Sequence, residues 1–275
     1  MILIWDGGFF NLLRPKLQFT LSLLRYEMRR VRIVVAYDGT NYCGWQVQPN
    51  GITVEEVLNA KLQKLTGEKI RIIGASRTDS GVHALGNVAV FDTNARMPAE
   101  KISYAMNTRL PADIRIQDSC EVSPDFHPRF QKTTKTYEYR ILNRKFPDPT
   151  KRLYSFFYYY PLDVVKMQQA SLYLVGEHDF QSFCTAKPGV DNTVRTIYSL
   201  EVMKEEDIIT IRVSGNGFLY NMVRIIAGTL IRVGGGSIRP EQVKEILEAK
   251  NRELAGETAR PEGLTLVQIS YDEGT

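Results

Sequence analysis

The order of predicted strands and helices most narrows the folds that this chain can adopt. Residues 31–37 have the alternation and the β-branched side chains of a strand, which ends at a turn at residues 38–40. Thr53 and Glu56 then form a capping-box pattern ahead of a helix that ends at Gly67. Strands and helices follow one another in both halves without a strict β-α-β order. This mixture predicts an α+β fold rather than a doubly wound parallel sheet.

The remaining elements are predicted from the same periodicities and breaking residues. Further strands are predicted over residues 70–75, 88–91, 136–142, 194–203, 208–213 and 264–271. Further helices are predicted to start at Pro98, to span 163–175 and 218–233, and to run from Pro240 to about residue 249.

The length of 275 residues suits one large domain or two medium ones. We divide the chain into an N-terminal extension (residues 1–27), an N-terminal domain (28–130) and a C-terminal domain (131–275). The boundary has no flexible-linker composition, so we expect the two domains to pack together. The extension is too interrupted to cross a bilayer and lacks signal-peptide features. Met28 directly precedes the first clear strand.

Positive charge and aromatic side chains are concentrated in one segment, residues 132–152. The whole chain has a net charge of +4. This segment contains two acids, Glu138 and Asp148, against the basic residues Lys132, Lys135, Arg140, Arg144, Lys145, Lys151 and Arg152. Cations neutralise phosphates and aromatic rings stack on bases, so the segment is typical of an RNA-binding surface. A solvated strand edge beside core aromatics has the same composition.

Cysteine and histidine spacings argue against a metal site. The three cysteines form no C-x-x-C pair, which favours a reducing cytoplasm over a disulfide framework. No metal-binding histidine pattern occurs among His83, His127 and His178. The chain also lacks the P-loop of nucleotide-binding proteins and the G-x-S-x-G nucleophile elbow.

A polar turn, G-A-S-R-T-D-S-G-V-H-A at residues 74–84, separates two apolar strand-like segments. It places Asp79 two residues after Arg77. A nearby guanidinium lowers the pKa of an aspartate, which suits a nucleophile or base that must stay ionised. Arg224 is a second candidate partner, because it follows an apolar helix start and needs a counter-ion. A structural turn aspartate, and pairing of Arg224 with any other acid, remain open alternatives.

Seven ordered segments resemble the tRNA pseudouridine synthase A family and cover nearly everything from residue 31 onward. They are Y-D-G-T-N-Y-C-G-W-Q (37–46), S-R-T-D-S-G-V-H-A (76–84), F-H-P-R-F (126–130), K-T-Y-E-Y-R (135–140), E-H-D-F-Q-S-F (177–183), G-N-G-F-L-Y-N-M-V-R (215–224) and P-E-G-L-T-L (261–266). Ser76 and Ser80 stand where family members usually carry Gly and Ala.

The resemblance implies two packed domains whose largely antiparallel sheets join into one extended sheet, with the active-site cleft between them. It implies an isomerase that converts uridine to pseudouridine in the anticodon stem-loop of tRNA, at nucleotides 38, 39 and 40. A cytoplasmic homodimer is expected, without membrane association and without a metal, nucleotide or organic cofactor. On this resemblance Asp79 is the catalytic residue, and Arg77, Tyr137 and Arg224 bind the substrate.

Two alternatives belong to other functional classes. One is a non-catalytic RNA-binding or RNA-folding protein that uses the same basic surface. The other is a metal-dependent hydrolase built around Asp79 and His83, which would lose its activity with a chelator. For the isomerase, the sequence leaves open whether Asp79 attacks C1′ of the ribose as a nucleophile or removes a proton from C2′ to give a glycal.

Overall fold

The computed structural model describes residues 28–185 and 192–272. The predicted N-terminal extension lies outside the described residues. Among the residues that the structure describes, no helix has the length and apolarity needed to cross a bilayer.

The described residues contain ten strands that belong to a single sheet. In chain order they are β1 Arg29–Tyr37, β2 Ile73–Gly74, β3 His83–Thr93, β4 Ile114–Val122, β5 Thr133–Asn143, β6 Phe156–Tyr158, β7 Gly176–Asp179, β8 Val194–Glu205, β9 Ile208–Gly215 and β10 Leu264–Tyr271.

The main path through the sheet runs β4-β1-β3-β10-β5-β9-β8-β7. Most neighbouring strands are antiparallel, but β10 runs parallel to β3, and β6 runs parallel to β5. The last strand of the chain therefore lies between β3 of the first half and β5 of the second half. One extended, mostly antiparallel sheet confirms the predicted α+β fold class.

Within the described residues, five α-helices accompany the sheet: α1 Val54–Thr66, α2 Ala99–Asn107, α3 Val164–Ser171, α4 Met222–Gly234 and α5 Gln242–Ala249. Helix α1 begins as predicted, because the Thr53 side chain accepts a hydrogen bond from the backbone N–H of Glu56. It also ends as predicted, at Gly67 in the left-handed conformation.

One sheet face is buried more deeply than the other, which explains the alternating sequence pattern. Burial alternates along β1, β5 and β9, as at Ile209, Ile211 and Val213, which are fully buried. Helix α4 contacts β5, and α3 contacts both α4 and β8. Apolar side chains of this face and of the helices form one continuous core.

One predicted strand and one predicted helix begin several residues later than expected. The strand predicted over residues 70–75 is observed as Ile73–Gly74, and the N–H of Ile72 donates to the Asn59 side chain on α1 instead of to a strand. The helix predicted to start at Phe218 begins at Met222, because Asn221 has a left-handed backbone (φ 62°) that cannot continue a helix.

Candidate active site

The turn that carries Asp79 connects β2 to β3. Hydrogen bonds from β1 and from the segment that follows β1 hold this turn in place. The hydroxyls of Tyr37 and Thr78 are hydrogen-bonded at 2.7 Å, and the N–H of Trp45 donates to the Thr78 carbonyl at 3.1 Å. At Gly44 (φ +80°) a Cβ atom would stand only 2.5 Å from that carbonyl, so the close approach requires glycine. The residue before Asp79 is therefore fixed on both its side chain and its backbone.

Arg224 provides a cation for Asp79 from the first turn of α4. Its Nη1 lies 3.6 Å from Oδ2 of Asp79, and the two side chains are 15% and 23% exposed. Its Nε donates to the Ala259 carbonyl at 2.6 Å, and its Nη1 donates to Oδ1 of Asn221 at 3.0 Å. These two oxygens orient the guanidinium towards the carboxylate. The structure thus contains the Asp79–Arg224 ion pair.

Tyr137 lies on β5 beside the same turn, and its ring is buried. Its hydroxyl is 2.9 Å from Oγ of Ser76, and Phe218 approaches the ring edge-on with centroids 5.2 Å apart. Burial raises the pKa of Tyr137 to about 12, and the Asp79 carboxylate contributes to the increase. Tyr137 is therefore a neutral phenol near neutral pH.

Arg77 does not take part in these contacts. Its side chain is exposed, and it forms no hydrogen bond or ion pair with the residues 28–185 and 192–272 that the structure describes. Of the residues selected from the sequence, Asp79, Tyr137 and Arg224 come together, whereas Arg77 lies at the outer edge of the turn.

The position of β10 explains why residues from both halves meet. Leu266 on β10 pairs with Ala84 of β3 on one side and with Tyr137 of β5 on the other. Asp79 lies just before β3 begins. Because β10 closes the gap between β3 and β5, the aspartate turn and the tyrosine come to opposite edges of the same strand.

His83, the second residue of the metal-dependent hydrolase alternative, contacts Asp38 and not Asp79. Its Nδ1 is 3.1 Å from Oδ1 of Asp38. Within the described part of the chain, no group of three His, Cys, Asp or Glu side chains is arranged to hold a metal ion.

Much of the positive charge in residues 132–152 is neutralised locally. Arg140 and Arg212 share Glu138, Arg144 pairs with Asp207 at 3.3 Å, and Lys151 lies 3.8 Å from Asp148. Lys135 differs, because its Nζ donates to the Ala75 carbonyl at the start of the Asp79 turn, at 3.1 Å.

Three residues at the site were not selected from the sequence, namely Ser76, Lys135 and Phe218. Lys135 could have been found, because residues i and i+2 of a strand share one face and Tyr137 was already a candidate. Phe218 was assigned to a helix that in fact begins four residues later, so its contact with Tyr137 could not be inferred. Ser76 was noted only as a departure from the family pattern.

The Ser76–Tyr137 hydrogen bond gives a testable stability effect. Ser76→Ala is expected to lower the free energy of unfolding by about 1–2 kcal/mol, because it leaves a buried hydroxyl without a partner among the described residues. Urea denaturation of Ser76→Ala, Tyr137→Phe and the double variant measures it. The double variant should lose less than the sum of the single losses. Strict additivity would show that the two hydroxyls do not interact.

Comparison with known proteins identifies the family. A family model described as tRNA pseudouridine synthase matches residues 33–131 and 170–272, which is most of the chain. The chain belongs to the tRNA pseudouridine synthase family. As a member of this family it is an isomerase that converts uridine to pseudouridine.

Individual relatives in the tRNA pseudouridine synthase family align with most of the chain. The chain is 52% identical to tRNA pseudouridine synthase A of Thermoanaerobacter sp. (strain X514) and 46% identical to that of Acetivibrio thermocellus. In both cases 244 residues align, which is 89% of this chain and 100% of the relative. Among solved structures, the chain is similar to a Cbf5-Nop10-Gar1 complex, with 16% identity and a TM-score of 0.33 over 74% of this chain and 44% of the other.

Proposed function

We propose that the enzyme modifies uridines at nucleotides 38, 39 and 40 in the anticodon stem-loop of tRNA, with Asp79 as its catalytic residue. The observation that carries the proposal is the half-buried Asp79–Arg224 pair beside Tyr137, in a chain of the tRNA pseudouridine synthase family. Relatives named tRNA pseudouridine synthase A support the choice of tRNA.

The reaction is an isomerisation, so its atoms balance without a co-substrate. The bond between N1 of uracil and C1′ of ribose breaks, the base turns, and C5 bonds to C1′. The proton on C5 must then leave, and N1 must gain one. The protein therefore has to stabilise a detached uracil and an electron-poor C1′ during the same turnover.

Asp79 meets the requirement at C1′ of the ribose. Its carboxylate either attacks C1′ to form a covalent intermediate or removes the C2′ proton to give a glycal, and both roles need the ionised form. Arg224 favours that form, because a cation 3.6 Å away stabilises the carboxylate charge and its own orientation is fixed by Ala259 and Asn221.

We assign Tyr137 to contact with the detached uracil base. We assign Arg77 to contact with the RNA helix from which the nucleotide is extruded. The neutral ring of Tyr137 gives the uracil an apolar surface on which it can turn without losing a proton to the phenol. Extruding a nucleotide from its stack costs a few kcal/mol. The exposed Arg77, beside the turn, is placed to fill the vacated space or to contact a phosphate.

The wider assignments follow from this site. We propose a cytoplasmic homodimer in which residues 28–130 and 131–275 form two domains, with the active-site cleft at their junction on β10. The two matched segments of the family model, 33–131 and 170–272, support a division of this kind.

Mapping pseudouridine in tRNA from a strain without this gene tests the proposal. Pseudouridine is expected to be missing at nucleotides 38, 39 and 40 and to return when the wild-type chain is restored. Retention of pseudouridine at all three nucleotides would contradict the assignment of the target. Salt-sensitive binding of the purified chain to tRNA without any conversion of uridine would instead support the non-catalytic RNA-binding alternative.

A further inference from the structure

Lys135 is a half-buried cation beside the active site without an acidic partner in the described part of the chain. A lysine ammonium has three N–H donors, and one of them is used by the Ala75 carbonyl at 3.1 Å. Two donors are therefore available. They lie on the face of β5 that also carries Tyr137, because residues two apart on a strand point to the same side.

Two arginines increase the positive charge around Lys135. Burial, together with the charges of Arg129 and Arg195, lowers the pKa of Lys135 to about 8. Arg195 reaches the same sheet face, since Lys135 pairs with Gly215, Gly215 pairs with Ile197, and Arg195 is two residues before Ile197. Gly215 has no side chain to separate the two cations.

Other basic side chains on the sheet pair with carboxylates. Arg30 is 2.8 Å from Asp92, Arg32 is 3.4 Å from Asp118, and Arg212 is 2.8 Å from Glu138. By contrast, Arg129, Lys135 and Arg195 form no ion pair with a carboxylate among residues 28–185 and 192–272. Nearby like charges disfavour one another, and a bound anion relieves that repulsion.

We propose that Lys135 and Arg195 bind a backbone phosphate of the RNA, one of the two that flank the uridine at Asp79. The proposal rests on the proposed function, because the anion must arrive with the nucleotide. Its location fits, since Lys135 contacts the first residue of the Asp79 turn and shares a strand face with Tyr137. A phosphate there would fix the ribose relative to Asp79.

The test compares tRNA binding by wild type, Lys135→Met and Lys135→Arg. Lys135→Met is expected to weaken binding about tenfold and to reduce the slope of log K against log salt by about 1. Lys135→Arg keeps the charge and should retain most of the affinity. Lys204→Met is the matched control, because Lys204 is exposed at the far end of β8, and it should bind like wild type.

Neutral methylphosphonates, placed one at a time at the two phosphates that flank the target uridine, identify the ligand. At one position the wild-type enzyme should lose about as much affinity as Lys135→Met loses with normal tRNA, and the variant should lose little more. Arg195→Gln should show the same non-additivity, which covers the case in which Lys135→Met does not fold.

Two results would overturn the proposal. One is unchanged tRNA affinity and unchanged salt slope in both Lys135→Met and Arg195→Gln. The other is full additivity, in which the affinity lost by each variant adds to the affinity lost on methylphosphonate substitution at either flanking phosphate. A change in the solution mass of Lys135→Met without a change in RNA affinity would show that the cations bind an acidic protein surface instead. Failure of the proposed function is distinguishable, because the wild-type enzyme itself would then form no pseudouridine in the unmodified tRNA.

Discussion

Replacing Asp79 with asparagine is expected to slow pseudouridine formation by on the order of 10³-fold or more. Asparagine keeps the shape of the side chain but can neither attack C1′ nor accept the C2′ proton. Arg224 stays hydrogen-bonded to Ala259 and Asn221, so the variant should fold and still bind tRNA. Single-turnover conversion of a tRNA transcript, measured together with its dissociation constant, separates loss of chemistry from loss of binding.

Asp118→Asn is the matched control for this prediction. Asp118 also pairs with an arginine, Arg32 at 3.4 Å, but its side chain is exposed and it lies on the edge strand β4. The same atomic change there should leave the rate within about twofold of wild type, since surface ion pairs contribute little. Full activity of purified Asp79→Asn would remove Asp79 from the mechanism, whereas equal losses in both variants would indicate a general loss of charge.

A deuterium atom at C2′ of the target uridine distinguishes the two routes for Asp79. In the glycal route the C2′–H bond breaks, so the deuterated tRNA should react more slowly whenever that step limits the rate. In the nucleophilic route the bond stays intact and the two rates should be nearly equal. The wild-type enzyme is used for both substrates, which keeps binding constant.

Local features of the fold were predictable because they depend on neighbouring residues. The Thr53 cap and the Gly67 end of α1 follow from side-chain and backbone chemistry within a few positions. Alternation predicted β1 and β9 for the same reason. Asp79 and Arg224 were also accessible from the sequence, because a polar turn and a charge in an apolar helix are both unusual.

Long-range pairing was not predictable from such signals. The place of β10 between β3 and β5 depends on contacts across nearly the whole chain, and the alternation of β10 is compatible with many partners. For the same reason, the contacts of Lys135 with Ala75 and of Ser76 with Tyr137 became visible only in three dimensions.

Gly228→Ala is expected to lower the free energy of unfolding by about 3 kcal/mol. Within a helix this change alone would be favourable by about 1 kcal/mol, so any loss must come from packing. A Cβ atom at Gly228 in α4 would overlap the carbonyl oxygen of Glu257, which is backbone and cannot rotate away. The N–H of Gly256 also donates to the Thr229 side chain at 2.9 Å, which holds this segment against the helix.

Gly234→Ala, at the end of the same helix, separates the packing cost from other effects of alanine. Its new Cβ would meet the Met167 sulfur at 2.8 Å, and that flexible side chain can move. Urea denaturation should therefore show a much smaller loss at Gly234 than at Gly228. Gly228→Ala should also reduce catalysis, because the displaced segment ends at Ala259, whose carbonyl orients Arg224. Equal stability of the two variants would show that the backbone at Glu257 moves at little energetic cost. This segment would then not be rigid enough to explain the fixed position of Arg224.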